Sequence, residues 1–362
     1  MTTTSERVSE ALTQQVSKRV SQSVFDGSRL RVVLLVDVYD GAQQQFLEAY
    51  EQLCNQVASV PGHVSDQLCQ SIENPSQWLI TSEWESAPPF LAWVNSEEHV
   101  RMVEPLHSCV RDTRSLRFHI VRETGGEAAA GAKGGRRRLQ ASPRIGDGVL
   151  RHALTFTVKP GSEPQVAKIL ADYASPEARV DDTTRLCRTS LFMHGNRVVR
   201  AIEVRGDLLT ALRHVARQPE VRAVEEAINP YLEQERDLND QESARVFFTR
   251  AALPAVHHVT ADELPEGERL ALYYPARAGQ GMRLAELLAQ HDEAAAEDPK
   301  CPVLRSTIFQ RDDVVVRLVD VRAGLGADPG VPYSGPADEL KPLLDAEAVR
   351  MALITDRRSP DA

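Results

Sequence analysis

The chain has 362 residues, more than one typical domain, and this length predicts two or three units of about 100 residues each. Its formal net charge of −10 argues against nucleic acid and against an anionic membrane surface as partners, because either would repel it. With 42% hydrophobic and 26% charged residues the composition is that of an ordinary globular protein, which favours a small neutral or aromatic ligand.

The N-terminal segment and the cysteines both bear on location. Residues 1–29 form a polar tail without the apolar core of a signal peptide, and no stretch reaches the ~20 apolar residues of a membrane span. The five cysteines are scattered, with no C-x-x-C pair and no metal-ligand spacing, which indicates free thiols. We therefore expect a soluble, cytoplasmic protein.

Residues 30–122 contain six predicted elements in the order β-α-β-β-α-β, the ferredoxin-like unit. The apolar segment RVVLLVDV predicts the first strand, and the helical pattern FLEAYEQLCNQVASV follows it as far as Pro61. A second strand is predicted from His63, and an alternating segment that contains Trp78 and Trp84 predicts the third. The segment SLRFHIVRE predicts the fourth strand.

An aromatic strand face and an aromatic helix face adjoin in this unit. Trp84 ends the third strand, and two prolines then begin a helix on which Phe90, Trp93 and Val94 lie at i, i+3 and i+4. His107 continues the same stripe further along. Chemistry, if this chain performs any, is expected here.

The same order of elements recurs twice after residues 123–148, whose Gly, Ala and Arg content predicts a flexible linker. The repeats are residues 149–258 and 259–358, and LFMHGNRVVRAIEVRG of the first aligns without gaps with IFQRDDVVVRLVDVRA of the second. This self-similarity indicates an internal duplication. We predict RVFFTRAAL as the strand that ends the first repeat, His257 and His258 on a turn between the repeats, and ELKPLLDAEAVRMAL as the last helix.

A four-stranded sheet with helices on one face needs a cover for its other face. The two repeats can cover each other as an internal pseudo-dimer. The first unit has no such partner within the chain, so we expect it to pair with its copy in a homodimer; docking on the outside of the two repeats is the alternative.

Three short motifs give residues 30–122 a family resemblance: W-x-S at residues 84–86, F-x-x-W at residues 90–93 and S-x-x-H at residues 96–99. They resemble the antibiotic biosynthesis monooxygenase (ABM) superfamily of dimeric α+β barrels. The rest of the chain resembles the SchA/CurD-like domain of proteins encoded beside aromatic polyketide synthases, including those for spore pigments, through its H-A-L-T-F and R-A-I-E-V segments.

The resemblance implies an α+β fold of three ferredoxin-like modules, of the dimeric α+β barrel type. It also implies a tailoring step on a small aromatic polyketide. In ABM relatives that step is often oxygenation of an anthrone-like phenol to a quinone without flavin, haem or metal. Other relatives on the same fold are cyclases or haem degraders.

Cofactor-free oxygenation needs a base, a group that holds the substrate anion and an apolar aromatic pocket. His99 or His107 is the predicted base, because histidine titrates near neutral pH. Asn95 or Arg101 is the predicted anion-holding group. The alternatives are an exposed histidine at a helix end for His99 and a satisfied core histidine for His107.

Trp84 and Trp93, with Phe90, are the predicted substrate contacts, because two indoles could sandwich a flat polycycle. The alternative is that these aromatic side chains only form core.

Three further substrate contacts are predicted in the first repeat: His152 at the start of a strand, His194 in a tight turn and Tyr231 after a helix. A solvated turn histidine is the alternative for His194. Arg311 stands opposite His194 in the second repeat, so we expect that repeat to act as a scaffold and the first to supply most polar groups of any pocket.

Three functions remain open at this stage. The first is a cofactor-independent monooxygenase that uses molecular oxygen as co-substrate and no metal, consistent with the absence of G-x-G-x-x-G and H-E-x-x-H motifs. The second is a polyketide cyclase or aromatase on the same fold. The third is a non-catalytic accessory subunit that contacts components of a polyketide synthase.

Overall fold

The computed structural model describes residues 20–123, 146–172, 175–261, 267–298, 300–322 and 337–359. The chain divides into two compact units, an N-terminal unit of residues 23–144 and a C-terminal unit of residues 145–362 that also includes residues 1–22. Residues 1–19 of the predicted tail and 124–145 of the predicted linker lie outside the described residues. No helix in the described part of the chain is long and apolar enough to cross a membrane.

The first strand of the described chain, β1 (Ser21–Ser23), belongs with the sheet of the C-terminal unit. The N-terminal unit then follows in the predicted βαββαβ order, with its second helix in two pieces. Its elements are β2 (Leu30–Val38), α1 (Gln43–Val57), β3 (His63–Gln70), β4 (Gln77–Trp84), α2 (Ala87–Val94), α3 (Glu97–His107) and β5 (Val110–His119).

Local sequence sets the helix boundaries around the aromatic residues. Proline at the first turn of α2 costs nothing, because the N–H groups there have no partner within the helix. The Ser96 hydroxyl caps α3 by accepting a hydrogen bond from the His99 backbone N–H. The two helices therefore meet at Asn95 and Ser96, which brings the end of α2 beside the start of α3.

The sheet of the N-terminal unit has the strand order β3-β4-β2-β5, and all its pairs are antiparallel. Its helix-covered face contains the core, in which Phe46 of α1 packs against Trp78 of β4 with ring centroids 5.3 Å apart. Burial of each such aromatic side chain contributes roughly 2–3 kcal/mol to folding.

The opposite face of this sheet carries apolar side chains in the middle of the strands. The register places Val33 and Leu35 of β2 beside Leu79 of β4 on one side and Leu116 and Phe118 of β5 on the other. Leu35 is 43% exposed and Phe118 is 50% exposed. Within the described residues of this unit no helix covers these side chains, as the sequence predicted for an unpaired module.

The C-terminal unit contains eight strands that close into a barrel, with helices outside. The first half contains β6 (Val149–Thr157), α4 (Glu163–Asp172), β7 (Arg185–His194), β8 (Arg197–Arg205), α5 (Leu208–Arg217), α6 (Pro219–Ile228), α7 (Gln241–Ala251) and β9 (Ala252–Thr260). The second half contains β10 (Gly267–Pro275), α8 (Gly281–Glu297), β11 (Val303–Arg311), β12 (Val314–Arg322), α9 (Ala337–Leu340) and β13 (Val349–Arg358).

The strand order explains how the barrel closes. Each half has the internal order of the N-terminal sheet, β7-β8-β6-β9 in the first and β11-β12-β10-β13 in the second. The last strand of each half pairs with the second strand of the other, β9 with β11 and β13 with β7. The short strand β1 adds to the outer part of β9.

Three local predictions for this unit were wrong. The segment RVFFTRAAL lies mainly in helix α7, which packs Phe247 and Ala251 into the core, and the strand begins only at residue 252. His257 and His258 therefore lie buried in β9 and not on a turn. The segment predicted as the last helix forms α9, a short 3-10 turn and then β13, because the barrel needs a strand between β10 and β7.

Candidate functional site

An aromatic wall lies between the sheet and the helices of the N-terminal unit. Trp84 ends β4 and is fully buried, and its indole Nε1–H donates a hydrogen bond to the Ser82 hydroxyl at 3.0 Å. The Phe90 ring meets it edge-on with centroids 5.4 Å apart. The Trp93 indole stacks on it at 5.4 Å and 29°.

This packing differs from the prediction that Trp84 and Trp93 hold a flat polycycle between them. Two rings that hold a flat polycycle between them need a separation of about 7 Å, twice the ordinary stacking distance. Trp84 and Trp93 instead contact each other, so a ligand can stack only on an outer surface of the pair. The indoles do lie together on the helix-covered side, as the alternation and the helical spacing predicted.

His99 lies directly against Trp93. Their ring centroids are 4.2 Å apart, the planes meet at 69°, and His99 is largely buried and not exposed at a helix end. Burial lowers the pKa of His99 to about 4, with smaller contributions from the nearby charges of His107 and Arg117. His99 is therefore neutral at neutral pH, in contrast to the predicted base with a pKa near 7.

Two polar atoms at this contact have no hydrogen-bond partner in the described part of the chain: Nε1 of Trp93 and Nδ1 of His99, both buried. Buried polar groups in folded proteins are almost always paired, and each unpaired one costs about 1–3 kcal/mol. Two such atoms on adjacent rings are available to hydrogen-bond a polar ligand group.

The guanidinium beside this contact belongs to Arg117, which the sequence analysis missed. Arg117 lies on β5 opposite Val32, on the helix-covered face, and its guanidinium carbon is 5.3 Å from the centroid of the Phe90 ring. The alternation in SLRFHIVRE could have identified Arg117, because it places this residue on the core-facing side of the strand, where an arginine is unusual.

The predicted anion-holding residues have different positions. Arg101 is exposed, and its Nε donates to the Glu97 carbonyl one turn earlier on α3; its role in anion binding stays a prediction. Asn95 caps the C-terminal end of α2 next to Trp93 and is half-buried. His107 ends α3 and lies close enough to His99 to affect its pKa.

A second imidazole meets the aromatic wall from the sheet. His63 contacts the Trp84 ring at 5.2 Å, and its Nε2 lies 2.8 Å from the Asp66 carboxylate. A bulge in β3 brings these two side chains, three residues apart, onto the same face. Burial and the nearby Asp66 raise the pKa of Tyr50 to about 12, so the Tyr50 hydroxyl stays protonated.

The structure does not bring together the three substrate contacts predicted in the C-terminal unit. His194 is exposed at the β7–β8 hairpin, opposite Arg197. His152 is opposite Ile202, five positions further along β8 and therefore about 16 Å away. Tyr231 packs against the helix layer near the His194 end of the strands.

The interior of the C-terminal barrel contains a charged network that sequence reasoning also missed. Arg269 donates from Nε to Asp320 at 2.7 Å and lies 2.7 Å from Glu203, and Arg188 donates to Asp320 at 3.0 Å and to Asp356 at 2.7 Å. Burial raises the pKa of Asp320, but the hydrogen bond and charge of Arg269, with Arg188, outweigh it and hold that pKa below its ordinary value.

This network draws on both halves of the barrel, with Arg188 and Glu203 from the first and Arg269 and Asp320 from the second. The second repeat therefore supplies charged groups to the barrel interior, and the source of the polar groups of any pocket stays a prediction. Among the described residues, no three His, Cys, Asp or Glu side chains are grouped so as to hold a metal ion.

Comparison with known proteins places the chain in a family. Residues 29–105 match the antibiotic biosynthesis monooxygenase family, and residues 149–261 match the SchA/CurD like domain. The 42.8 kDa protein in the whiE locus of Streptomyces coelicolor is 60% identical to this chain, over 94% of this chain and 90% of that protein. The chain belongs to the SchA/CurD-like family.

Two further proteins are similar to all or part of the chain. The polyketide synthase CurD of Streptomyces cyaneus is 63% identical, over 93% of this chain and 91% of that protein. Among solved structures, SnoaB, a cofactor-independent oxygenase from Streptomyces nogalater, covers 27% of this chain and 96% of its own at 16% identity and a TM-score of 0.25. In this SchA/CurD-like chain the ABM match contains Trp84, Trp93 and His99 and ends before Arg117.

Proposed function

We propose that the N-terminal unit is a cofactor-independent monooxygenase that oxidises an aromatic polyketide intermediate, an anthrone-like phenol, to a quinone. The observation that carries the proposal is the pair of buried, unpartnered polar atoms on Trp93 and His99, beside Arg117, on an aromatic wall. The match of residues 29–105 to the ABM family and the polyketide synthase name of a relative support it.

The substrate stacks on the Trp93 indole, the partly exposed member of the pair, and its phenolic oxygen lies at the Trp93 and His99 nitrogens. His99 is in its neutral form at every pH above about 4, so it is available to accept the proton. The developing substrate anion raises the pKa of His99 in the complex, since an opposite charge favours the imidazolium. Arg117 and the Trp93 N–H hold the anion.

His63 has a different part in this proposal. Its Nε2 lies 2.8 Å from the Asp66 carboxylate, whereas no carboxylate lies at the His99 ring among the described ion pairs. We therefore assign His99 as the proton acceptor and His63 as support for Trp84.

The reaction balances without a cofactor. The substrate anion supplies the electrons to molecular oxygen, one oxygen atom becomes the new quinone carbonyl, and the other leaves as water with the two hydrogens of the oxidised carbon. The protein removes the first proton, holds the anion and excludes bulk water.

We further propose the arrangement of the modules. The identical strand order of the two halves and the reciprocal pairs β9 with β11 and β13 with β7 favour an internal pseudo-dimer. The apolar face that includes Leu35 and Phe118 is the surface through which the N-terminal unit pairs with a second copy.

Anthrone with the purified full-length protein and dissolved oxygen tests the function. The expected result is quinone formation with matching oxygen uptake and no added cofactor. Loss of water from a poly-β-ketone substrate under strict anaerobiosis would replace the oxygenase by a cyclase or aromatase. Absence of turnover together with co-purification of a ketosynthase would favour an accessory subunit.

A further inference from the structure

The barrel of the C-terminal unit contains a buried histidine whose environment differs from that of a core residue. His258 is 3% exposed, and its Nδ1 lies 2.8 Å from the Thr307 hydroxyl. Its Nε2 is buried and has no hydrogen-bond partner among the described residues. A histidine kept only for packing would be expected to have both nitrogens satisfied.

The strand register places this imidazole inside the barrel. His258 of β9 is directly opposite Thr307 of β11, and cross-strand partners point to the same face of a sheet. Phe309, two residues along β11, lies in the interior cluster that joins both halves of the barrel. Thr307 and His258 therefore face the interior, and so does Arg305.

Two guanidiniums face the same space. Arg305 of β11 and Arg151 of β6 both affect the pKa of His258, as do Asp147 and His257. Arg151 is held by the Asp147 carboxylate and the Val149 carbonyl, with only 5% of its side chain exposed. Arg305 lies 4.0 Å from Asp320 and keeps 35% exposure, so it remains able to contact a ligand.

The strand that neighbours β9 changes beside His258. The pairing between β6 and β9 consists of three residue pairs and ends at His152 with Pro254, since proline has no N–H to continue the ladder. Beyond this point the short strand β1 is the neighbour of β9, and the Thr260 backbone N–H donates to the Val20 carbonyl at 2.9 Å. His258 lies in this part of β9, between the end of the β6 pairing and Thr260.

We infer that this place is a second ligand site, in which His258 Nε2 accepts the acidic O–H of a phenol or an enolised β-diketone while Arg151 and Arg305 bind its oxygen. Burial and the two arginines keep the imidazole neutral, which suits an O–H donor. The choice of a phenol or β-diketone as the ligand rests on the proposed function, whereas the site itself does not.

The proton balance is simple. When the ligand O–H ionises, its proton passes to Nε2, the electron pair stays on the ligand oxygen, and the guanidiniums stabilise the resulting anion. The hydroxyl of Thr307 fixes the ring orientation and is a positioning group.

The test uses 4-nitrophenol as the probe with the full chain, because its visible absorption reports ionisation. The measurement is made about one unit below the pKa of the free probe, in the His99→Gln background, which removes the proposed proton acceptor of the N-terminal site. Binding is expected to increase the phenolate band. His258→Gln should weaken that binding about tenfold or more, because the proton acceptor is lost.

Thr307→Val is the second variant, which keeps the volume of the side chain and removes the orienting hydroxyl; it should reduce the phenolate band several-fold. Asp182→Asn, at an exposed position of the same unit, is the control and should leave the band unchanged. Thermal unfolding of each variant checks the fold. A band that His258→Gln and Thr307→Val leave unaltered would overturn the inference, whether or not the protein oxidises anthrone.

Discussion

The imidazole of His99 lies edge-on against the indole of Trp93, with ring centroids 4.2 Å apart, and each ring carries a buried nitrogen that has no partner in the described part of the chain. Unsatisfied atoms of this kind reduce stability, so their presence on adjacent residues points to a ligand that completes them. Four predictions follow from this contact and from the surfaces around it.

The first prediction concerns the stability of the N-terminal unit at acid pH. The pKa of His99 is about 4 in the folded chain and about 6.5 in an unfolded chain, so the unfolded state binds more protons between these values. The stability that neutral His99 provides is fully present above pH ~6.5 and is lost as the pH falls toward about 4. At pH ~5 the loss amounts to about 2 kcal/mol.

Urea unfolding followed by tryptophan fluorescence measures this effect, because all three tryptophans lie in the N-terminal unit. Between pH ~7 and pH ~5 the parent chain should lose about 2 kcal/mol more than His99→Gln, which cannot take up the proton. Equal losses in the two proteins would contradict the assigned neutral state.

The second prediction compares two arginines. Arg117 faces the Phe90 ring inside the unit, whereas Arg101 is exposed on α3. If Arg117 holds the substrate anion, Arg117→Ala should lower kcat/KM for anthrone by roughly 100-fold or more, the typical effect of removing one anion-stabilising donor. Arg101→Ala should change it by less than about threefold. Similar losses for both would argue against an anion site at Arg117.

The aromatic wall was largely predictable from sequence, and the space around it was not. Alternation along β4 placed Trp84 inward, and the i, i+3 spacing placed Phe90 and Trp93 on one helix face. Whether Trp84 and Trp93 touch or leave a gap depends on the turn after Trp84 and on the packing of α2, which no local pattern determines.

The missed elements have a common physical cause. In RVFFTRAAL the β-branched and aromatic residues favour a strand, but Phe247 and Ala251 at i and i+4 pack into the core from helix α7. The closed barrel needs β13 between β10 and β7, and this long-range requirement outweighs the helical pattern before Arg350. The burial of His258 follows from the same shift of β9.

The third prediction concerns the bare sheet face of the N-terminal unit. Leu35→Asp or Phe118→Asp places a charge in the middle of the proposed pairing surface and should convert a dimer into a monomer in light scattering. Ile72→Asp is the matched control, since Ile72 is 101% exposed in the turn between β3 and β4. A dimer that persists in all three variants would show that the copies pair through another surface.

The fourth prediction concerns the charged network in the barrel. Asp320→Asn leaves Arg269 and Arg188 without their shared buried carboxylate and should destabilise the C-terminal unit by about 3–5 kcal/mol. Asp182→Asn removes an exposed partner of Arg179 and should leave the unfolding temperature unchanged.

Differential scanning calorimetry records both units, and tryptophan fluorescence records only the N-terminal one. The expected result for Asp320→Asn is a lower calorimetric transition with an unchanged fluorescence transition. A calorimetric trace identical to that of Asp182→Asn would rule out a structural role for the network.

The most direct test of the oxygenase assignment uses ¹⁸O₂ with anthrone and the purified full-length protein, with mass spectrometry of the product. The account predicts a quinone that carries one labelled oxygen atom, at a rate that Arg117→Ala strongly reduces and Arg101→Ala does not. A product without the label, or labelled product formed equally fast by Arg117→Ala, would contradict it.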